Sequence, residues 1–221
     1  NGVSGWTYGL MRRAAMTSRQ TPDGPQLEQA FLAFVQMMAN YQVPDEVNDF
    51  IMESRSVLIH PDPEKPAKIR PIGIDDSIVR FVHRVELNTR KAALQEHLEP
   101  IQMCGGTPGG CEIMGSVAQL NYNARLATWV GDFKNGFNTP ARSTVQTRVA
   151  NICAGLLPYL HRSYGRPTVL RSSTREGRNK RVGLSATGVR QGDPLSMIFF
   201  ALTIHPTLVR INRIIDDAKQ E

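Results

Sequence analysis

The chain has little cysteine, and this scarcity excludes several classes of protein. Its 221 residues include three cysteines, which form neither a Cys-x-x-Cys pair nor an even-numbered framework. We therefore expect a reducing intracellular compartment and not a disulfide-stapled secreted domain. The five histidines show no His-x-x-x-His or mixed His/Cys spacing, which argues against a zinc site.

Long apolar runs and several catalytic motifs are also missing. No stretch approaches the roughly 18 apolar residues that a membrane span needs, and the first residues do not form a signal peptide. Because Asn1 is not an initiator methionine, we expect an excised piece of a longer protein. The glycine-rich segment 104–111 lacks the Gly-Lys-Ser/Thr ending of a phosphate-binding loop, and no Gly-x-Ser-x-Gly elbow is present. Neither an NTPase nor a serine hydrolase has support.

The chain does have an ordinary globular composition with a concentrated positive charge. Hydrophobic residues make up 41% and charged residues 21%, enough for one sizeable core or two small subdomains. Lys and Arg number 26 against 20 Asp and Glu, and segment 162–190 alone contains eight basic residues and one acid. Such a field suits a polyanion, although a basic loop can also be a solvated surface.

Hydrophobic spacing predicts both helices and strands, and therefore an α+β fold. Four β-prone runs predict two hairpins, 56–60 with 68–74 and 167–172 with 181–186. Apolar residues three and four positions apart predict helices over 27–41, 45–55, 78–98, 112–125 and 139–158.

One stretch near the carboxyl end combines a glycine turn with a helix start. Asp193 can cap free backbone N–H groups, and Pro194 suits a first helical turn. Apolar residues follow at helical spacing, so we expect the turn to be held against a core with its polar atoms free. These apolar residues are Leu195, Ile198, Phe199 and Leu202.

A carboxylate lies about sixty residues upstream of that turn. Trp129 and Val130 predict the end of a buried strand, and Asp132 follows where the strand emerges. An aspartate at such a place can ligate a metal, but it can also simply cap a turn.

These segments together resemble reverse transcriptases, most closely those of site-specific non-LTR (LINE-type) retrotransposons. Residues 188–196, GVRQGDPLS, are similar to a long palm motif of that family, and 132–138, DFKNGFN, to its first catalytic-carboxylate motif. Segments 65–74 and 102–112 resemble its finger motifs. The resemblance covers nearly the whole chain in order and spacing.

The resemblance implies a right-hand polymerase architecture with helices packed on a small antiparallel sheet. Residues 1–126 would form the fingers and 127–221 part of the palm. The implied activity is RNA-directed DNA polymerisation by two-metal nucleotidyl transfer with Mg²⁺ or Mn²⁺. The implied partners are an RNA template, a DNA primer or target DNA and a dNTP, with no membrane, and the implied location is the nucleus.

The resemblance also assigns roles to individual residues of the nucleotide pocket. Asp132 would be the catalytic carboxylate and a metal ligand, with the carbonyl of Phe133 as a further ligand. Phe137 would sit under the incoming sugar and exclude a ribose 2′-hydroxyl; the alternative, as for any phenylalanine, is core packing. Gln191 and Gly192 would line the pocket, because the amide both donates and accepts and glycine permits close approach.

Basic and polar residues of the fingers are assigned to phosphates and template. Arg70 resembles the residue that grips the triphosphate, and Lys65 is a second candidate, since guanidinium and ammonium groups both bind phosphate. Lys65, Arg80 and Arg84 can alternatively be solvated surface residues. The expected nucleic-acid contacts are Arg80, Arg84, Gln102, Gly109, Gly110, Glu112 and Arg190.

The chain departs from the family in one important respect. An active polymerase of this type has a second acidic motif, an aromatic residue before two adjacent aspartates on a hairpin, and then a thumb. Asp216 and Asp217 follow Ile214 and Ile215 with no aromatic nearby, so we predict that they end a helix. We therefore expect these 221 residues alone not to extend a primer.

Two other functions remain open at this point. A catalytically dead RNA-binding protein derived from a reverse transcriptase would bind RNA without Mg²⁺ and would tolerate Asp132→Ala. A viral RNA-dependent RNA polymerase usually has a second aspartate where this chain has Phe137, so the aromatic side chain argues against it.

Overall fold

The computed structural model has an α+β fold. It describes residues 2, 4–40, 42–59, 70–103, 107–126, 128, 131–173 and 179–218, with the backbone alone at 70, 71, 173 and 179. The helices are α1 (Tyr8–Ser18), α2 (Gly24–Ala39), α3 (Asp45–Ile51), α4 (Ser77–Leu98), α5 (Gly110–Asn123), α6 (Arg142–Cys153), α7 (Leu157–Tyr164) and α8 (Ser196–Asp217). The strands are β1 (Ser54–Ile59), β2 (Arg70–Ile74), β3 (Thr168–Ser173) and β4 (Asn179–Ser185).

The four strands form one sheet in the order β2-β1-β3-β4. β1 pairs antiparallel with β2, and β3 pairs antiparallel with β4, as the two predicted hairpins require. β1 and β3 are parallel, with Ser54 opposite Leu170, so the sheet is mixed and the expected antiparallel sheet is wrong. The reason is that local sequence signals specify each hairpin, whereas the β1–β3 pairing joins distant segments. This pairing links strands from both sides of the predicted boundary at residue 126.

The core lies where α4, α6 and α8 meet. The predicted apolar face of α8 is buried, and Leu195 and Phe199 are fully enclosed. Burying one such side chain contributes about 1.5–3 kcal/mol. By length and composition alone, α8 would also pass as a membrane span, with 28% of its apolar window buried. The core residues that α4 and α6 add include Val79, Val82, Val145 and Val149.

Two helices are less buried than their apolar residues suggest. In α2, Met38 is enclosed but Leu27 is 50% exposed. In α5, every residue from 111 to 120 is exposed. Apolar periodicity reports an amphipathic helix, but it does not say whether a neighbour covers the apolar face.

Two other expectations concern element ends. α6 stops at Cys153, and a 3₁₀ turn (Ala154–Leu156) precedes α7, so Pro158 begins a helix where we expected it to end one. Proline fits a first helical turn because it has no N–H to leave unpaired. The strand expected at Trp129 and Val130 lies outside the described residues.

Candidate active site

The two segments that resemble polymerase palm motifs are in direct contact. The backbone N–H of Val189 donates to the carbonyl of Phe137 at 2.7 Å, and that of Gly188 donates to the carbonyl of Pro140 at 3.1 Å. The hydroxyl of Thr187 donates to the carbonyl of Asn138 at 3.1 Å. These bonds fix the loop 188–193 against the turn 132–138.

Glycine is required at position 188 for two reasons. Its φ angle is +60°, in the left-handed region that side chains rarely adopt. A Cβ atom there would also lie 2.3 Å from the carbonyl oxygen of Phe137. The glycine therefore allows the two segments to approach.

Strand β2 joins the same site through Gly192. A Cβ atom on Gly192 would lie 2.2 Å from the carbonyl oxygen of Gly73 in β2. The space beside Gly192 is therefore filled by protein backbone on this side. Three of the segments that the sequence singled out, 70–74, 132–138 and 188–193, meet around one loop.

The turn 132–138 presents a carboxylate and two aromatic rings. Asp132 is exposed, and the carbonyl of Phe133 accepts the N–H of Gly136 at 3.2 Å. The half-buried ring of Phe137 stacks on Phe200 with centroids 5.1 Å apart. Phe133, whose side chain is 47% exposed, meets Phe200 edge-on.

Phe200 is a site residue that sequence reasoning missed. The signal was available, because Phe200 lies directly after the core residue Phe199 and must point about 100° away from it. Its ring supports both aromatic residues of the turn. One face of the Phe137 ring therefore packs on Phe200, and the expected contact with a sugar stays a prediction.

The loop 188–193 is anchored from below by a buried ion pair. The guanidinium of Arg190 donates to Asp75 at 2.6 Å and 3.2 Å, and also to the carbonyl of Ser163 and the hydroxyl of Thr168. Arg190 is only 4% exposed. The burial of Arg190 and the charge of Asp75 act in opposite directions, and the pKa of Arg190 is raised, so it stays charged.

These contacts contradict the expected nucleic-acid contact by Arg190. Asp75, Ser163 and Thr168 take four of the five N–H donors of this guanidinium, and the buried group has almost no surface on which to meet a phosphate. Its physical role is to hold the loop. The sequence could not reveal this, because Asp75 lies 115 positions away from Arg190.

Asp193 forms a second buried anchor. Its carboxylate accepts from His83 Nδ1 at 2.7 Å, from the Tyr164 hydroxyl at 2.5 Å and from the Leu195 N–H at 2.9 Å. Burial opposes ionisation, yet the His83 ring and these hydrogen bonds hold the pKa of Asp193 at about 2. Burial together with the Asp193 charge raises the pKa of Tyr164, so the phenol remains a donor. The predicted capping role of Asp193 is therefore one part of a larger cluster.

Arg142 is a third anchor, and it binds the backbone at the start of the loop. Its guanidinium donates to the carbonyls of Gly188 at 3.0 Å and Ser185 at 2.9 Å, and it lies over the Tyr164 ring at 5.3 Å. With both sides fixed, the loop exposes Gln191. The turn is held as expected, but its polar atoms are not all free, because the side chains of Arg190 and Asp193 are buried and hydrogen-bonded.

The expected template segment lies elsewhere in the fold. Gln102 donates its amide to the carbonyl of Ala201 at 3.0 Å and contacts His205 Nδ1 at 3.0 Å, which attaches it to α8. Gly109, with φ +67°, precedes α5, and Gly110 is buried. Glu112 is exposed in the first turn of α5.

Of the other four basic residues expected to bind phosphates or template, the structure describes the side chains of two, Arg80 and Arg84. The guanidinium of Arg80 lies 5.7 Å from the ring of Tyr8, and Arg84 is exposed. The backbone of Arg70 pairs with Ile59 at the end of β2, but its side chain and the whole of Lys65 lie outside the described residues.

The oxygen donors at the turn suit a hard divalent cation. Among the described residues, no group of three or more His, Cys, Asp and Glu could hold a metal. Mg²⁺ usually keeps several waters and takes one or two carboxylates plus substrate phosphates. The exposed carboxylate of Asp132 and the carbonyl of Phe133 fit such partial coordination.

No family model and no curated protein matches the chain.

Proposed function

We propose that this chain is the fingers and part of the palm of a reverse transcriptase of the non-LTR, LINE type. The parent enzyme would extend a DNA 3′-end by copying RNA, as in target-primed retrotransposition in a nucleus. Its partners would be an RNA template, a DNA primer or target DNA and a dNTP. The right-hand polymerase architecture, with a division near residue 126, belongs to this proposal.

The contact between turn 132–138 and loop 188–193 carries the proposal. The resemblance requires these two segments to build one nucleotide pocket, although 49 residues, 139–187, lie between them. Such a pocket needs close contact between the segments. The hydrogen bond from the Val189 N–H to the Phe137 carbonyl and the absence of a side chain at Gly188 both provide it. A chance similarity in two unrelated surface loops would not require them to touch.

In this reading, each exposed group of the site has a distinct task. Asp132 and the Phe133 carbonyl would hold the divalent cation, which supplies Lewis-acid stabilisation of the charge at phosphorus when bound. Phe137, braced by Phe200, would block a ribose 2′-hydroxyl. Gln191 would donate to the nucleotide and accept from it. Arg190 and Asp193 act indirectly, by fixing the loop that carries Gln191.

The proposal includes the inactivity of this chain in primer extension. Asp216 and Asp217 are the last residues of α8, and Asn212 donates to Asp216 at 2.9 Å within the same helix. They are not on a hairpin, where the family has its second acidic pair. Primer extension on an RNA template by the 221-residue chain would contradict this part of the proposal.

Equilibrium binding of a dNTP tests the proposal without requiring catalysis. We expect the wild-type chain to bind dTTP more tightly with Mg²⁺ than with EDTA, and Asp132→Asn to lose that difference while keeping its melting temperature. Glu112→Gln removes an exposed carboxylate from α5 and should retain the Mg²⁺ effect. An equal Mg²⁺ effect in wild type and Asp132→Asn would remove Asp132 from the site.

A catalytically dead RNA-binding protein is the second candidate, and the basic segment 162–190 favours it. The segment contains eight basic residues and one acid. Arg162 and Arg190 are buried, but the exposed Lys180 and Arg181 suit RNA phosphates without any chemistry. This candidate predicts RNA binding that survives Asp132→Ala and does not depend on Mg²⁺. Binding of dNTP with the Mg²⁺ dependence described above would exclude it.

A further inference from the structure

A basic cavity lies between α4, α6 and α8, on a different side of α8 from the candidate active site. Its volume is about 500 Å³, and its polar lining is formed by His97, Arg148, Asn151, His205, Arg210 and Arg213. No Asp or Glu is part of the lining. Three guanidinium groups and two imidazoles therefore face one concave space without a carboxylate among them.

One buried donor beside this cavity has no partner. The Nε of Arg148 is inaccessible to solvent and makes no hydrogen bond within the described part of the chain. Because this atom has no accessible surface, it does not open onto the cavity and is not itself a contact for a ligand. The donors available to a ligand are those of the other lining atoms, above all of the exposed Arg210 and Arg213.

The two histidines of the cavity are held close together. Their ring centroids are 4.8 Å apart. The Gln102 amide nitrogen lies 3.0 Å from His205 Nδ1, and an amide nitrogen only donates, so Nδ1 accepts and Nε2 carries the proton of the neutral ring. Burial and the neighbouring His97 both lower the pKa of His205. The neutral ring still offers one N–H donor.

We propose that this cavity binds a phosphate group through Arg148, Arg210 and Arg213, with the histidine rings beside it. Guanidinium groups bind phosphate oxygens in pairs of charge-assisted hydrogen bonds, and three of them can match a multiply charged anion. The phosphate can belong to a free oligophosphate or to the backbone of a nucleic acid. Both present the same oxygen atoms to the cavity.

This inference does not depend on the proposed polymerase function. Phe200, which braces the candidate active site, and His205 are five residues apart on α8, which places them about 140° apart around the helix. The polymerase site could fail its test while this cavity still binds phosphate, and the converse also holds.

Two titrations of the full chain test the site. Isothermal titration calorimetry would measure the binding of inorganic pyrophosphate, and fluorescence anisotropy that of a labelled oligothymidylate. The variant Arg210→Gln/Arg213→Gln changes exposed side chains and should fold normally. We expect it to weaken binding about tenfold or more, the effect of losing charge-assisted hydrogen bonds. The control Arg12→Gln/Arg13→Gln removes the same charge from α1 and should change affinity less than about twofold.

Histidine resonances give a readout that general electrostatic attraction would not move. Pyrophosphate should shift the imidazole ¹⁵N signals of His97 and His205 and leave that of the enclosed His83 unchanged. Binding of pyrophosphate alone would identify a free anion as the ligand, and binding of the oligonucleotide with the same dependence on Arg210 and Arg213 would identify a backbone. Absence of binding, equal loss in the control, or unmoved signals from His97 and His205 would overturn the proposal.

Discussion

Loop 188–193 and the start of helix α5 both contain glycines and both belong to segments that resemble family motifs, yet they differ in how the protein holds them. The loop is fixed by Arg190 and Asp193, both buried and hydrogen-bonded to distant residues. In α5, every residue from 111 to 120 is exposed. Similarity to a family motif therefore does not reveal whether the segment is anchored in the structure. Anchoring depends on buried partners elsewhere in the chain.

The largest expected effect comes from removing the ion pair under the loop. Arg190→Ala leaves the buried carboxylate of Asp75 without its partner, and breaking such a pair costs about 3–5 kcal/mol. Urea unfolding followed by circular dichroism measures the free energy of unfolding. Arg84→Ala, at an exposed arginine, should cost less than about 0.5 kcal/mol. A similar small cost for Arg190→Ala would mean that the loop is not anchored as described.

The second expected effect is on the pH dependence of stability. Because the pKa of Asp193 is lowered to about 2 in the folded protein, its contribution is present above about pH 4 and is lost as the pH falls toward 2. The groups that act on it are His83, Arg190 and Tyr164. We expect Asp193→Asn to cost about 2 kcal/mol near neutral pH and to flatten this acid limb. An acid limb identical to that of wild type would contradict the buried carboxylate.

A matched pair of glycines sharpens the comparison further. Gly188 and Gly109 have similar left-handed φ angles, but only Gly188 has backbone atoms where a Cβ would lie. We expect Gly109→Ala to cost about 1 kcal/mol from conformation alone. Gly188→Ala should cost about 2 kcal/mol or more, because the loop must also move away from turn 132–138. Equal costs in thermal unfolding would show that the two segments do not press together.

The smallest effect is expected on α5. Leu120 is 65% exposed, so Leu120→Ala should change the free energy of unfolding by less than about 0.5 kcal/mol. Leu202→Ala, in the buried face of α8, should cost about 2–5 kcal/mol. Chemical denaturation of both variants measures the contrast, and a large loss at Leu120 would indicate that α5 is covered in solution.

Local signals in the sequence were sufficient for most elements of the fold. Both hairpins, the long helix α4 and the buried face of α8 follow from spacing and from proline and glycine positions. The parallel pairing of β1 with β3 could not be predicted, because no local pattern specifies which hairpin edges meet. The exposure of α5 could not be predicted either, because no local pattern specifies whether a neighbouring element covers an apolar helix face.

For the candidate site, the sequence predicted the residues that would contact a nucleotide but not the buried residues that hold them. Asp132, Phe137 and Gln191 were chosen from motifs, and the structure brings the turn and the loop that carry them into contact. The anchoring residues Asp75, Arg142 and Tyr164 were not predicted. Nothing in the sequence distinguishes a polar residue that anchors a distant loop from any other polar residue. Phe200 was readable from its helical position but was passed over.

The most direct test of a shared nucleotide pocket is a double-mutant cycle. Binding of dTTP with Mg²⁺ would be measured for wild type, Phe137→Ala, Gln191→Ala and the double variant, each checked for folding. If the turn and the loop hold one nucleotide, the two losses should be non-additive, with a coupling energy of about 0.5–3 kcal/mol. Strictly additive losses, or no dTTP binding by the wild-type chain, would contradict the account.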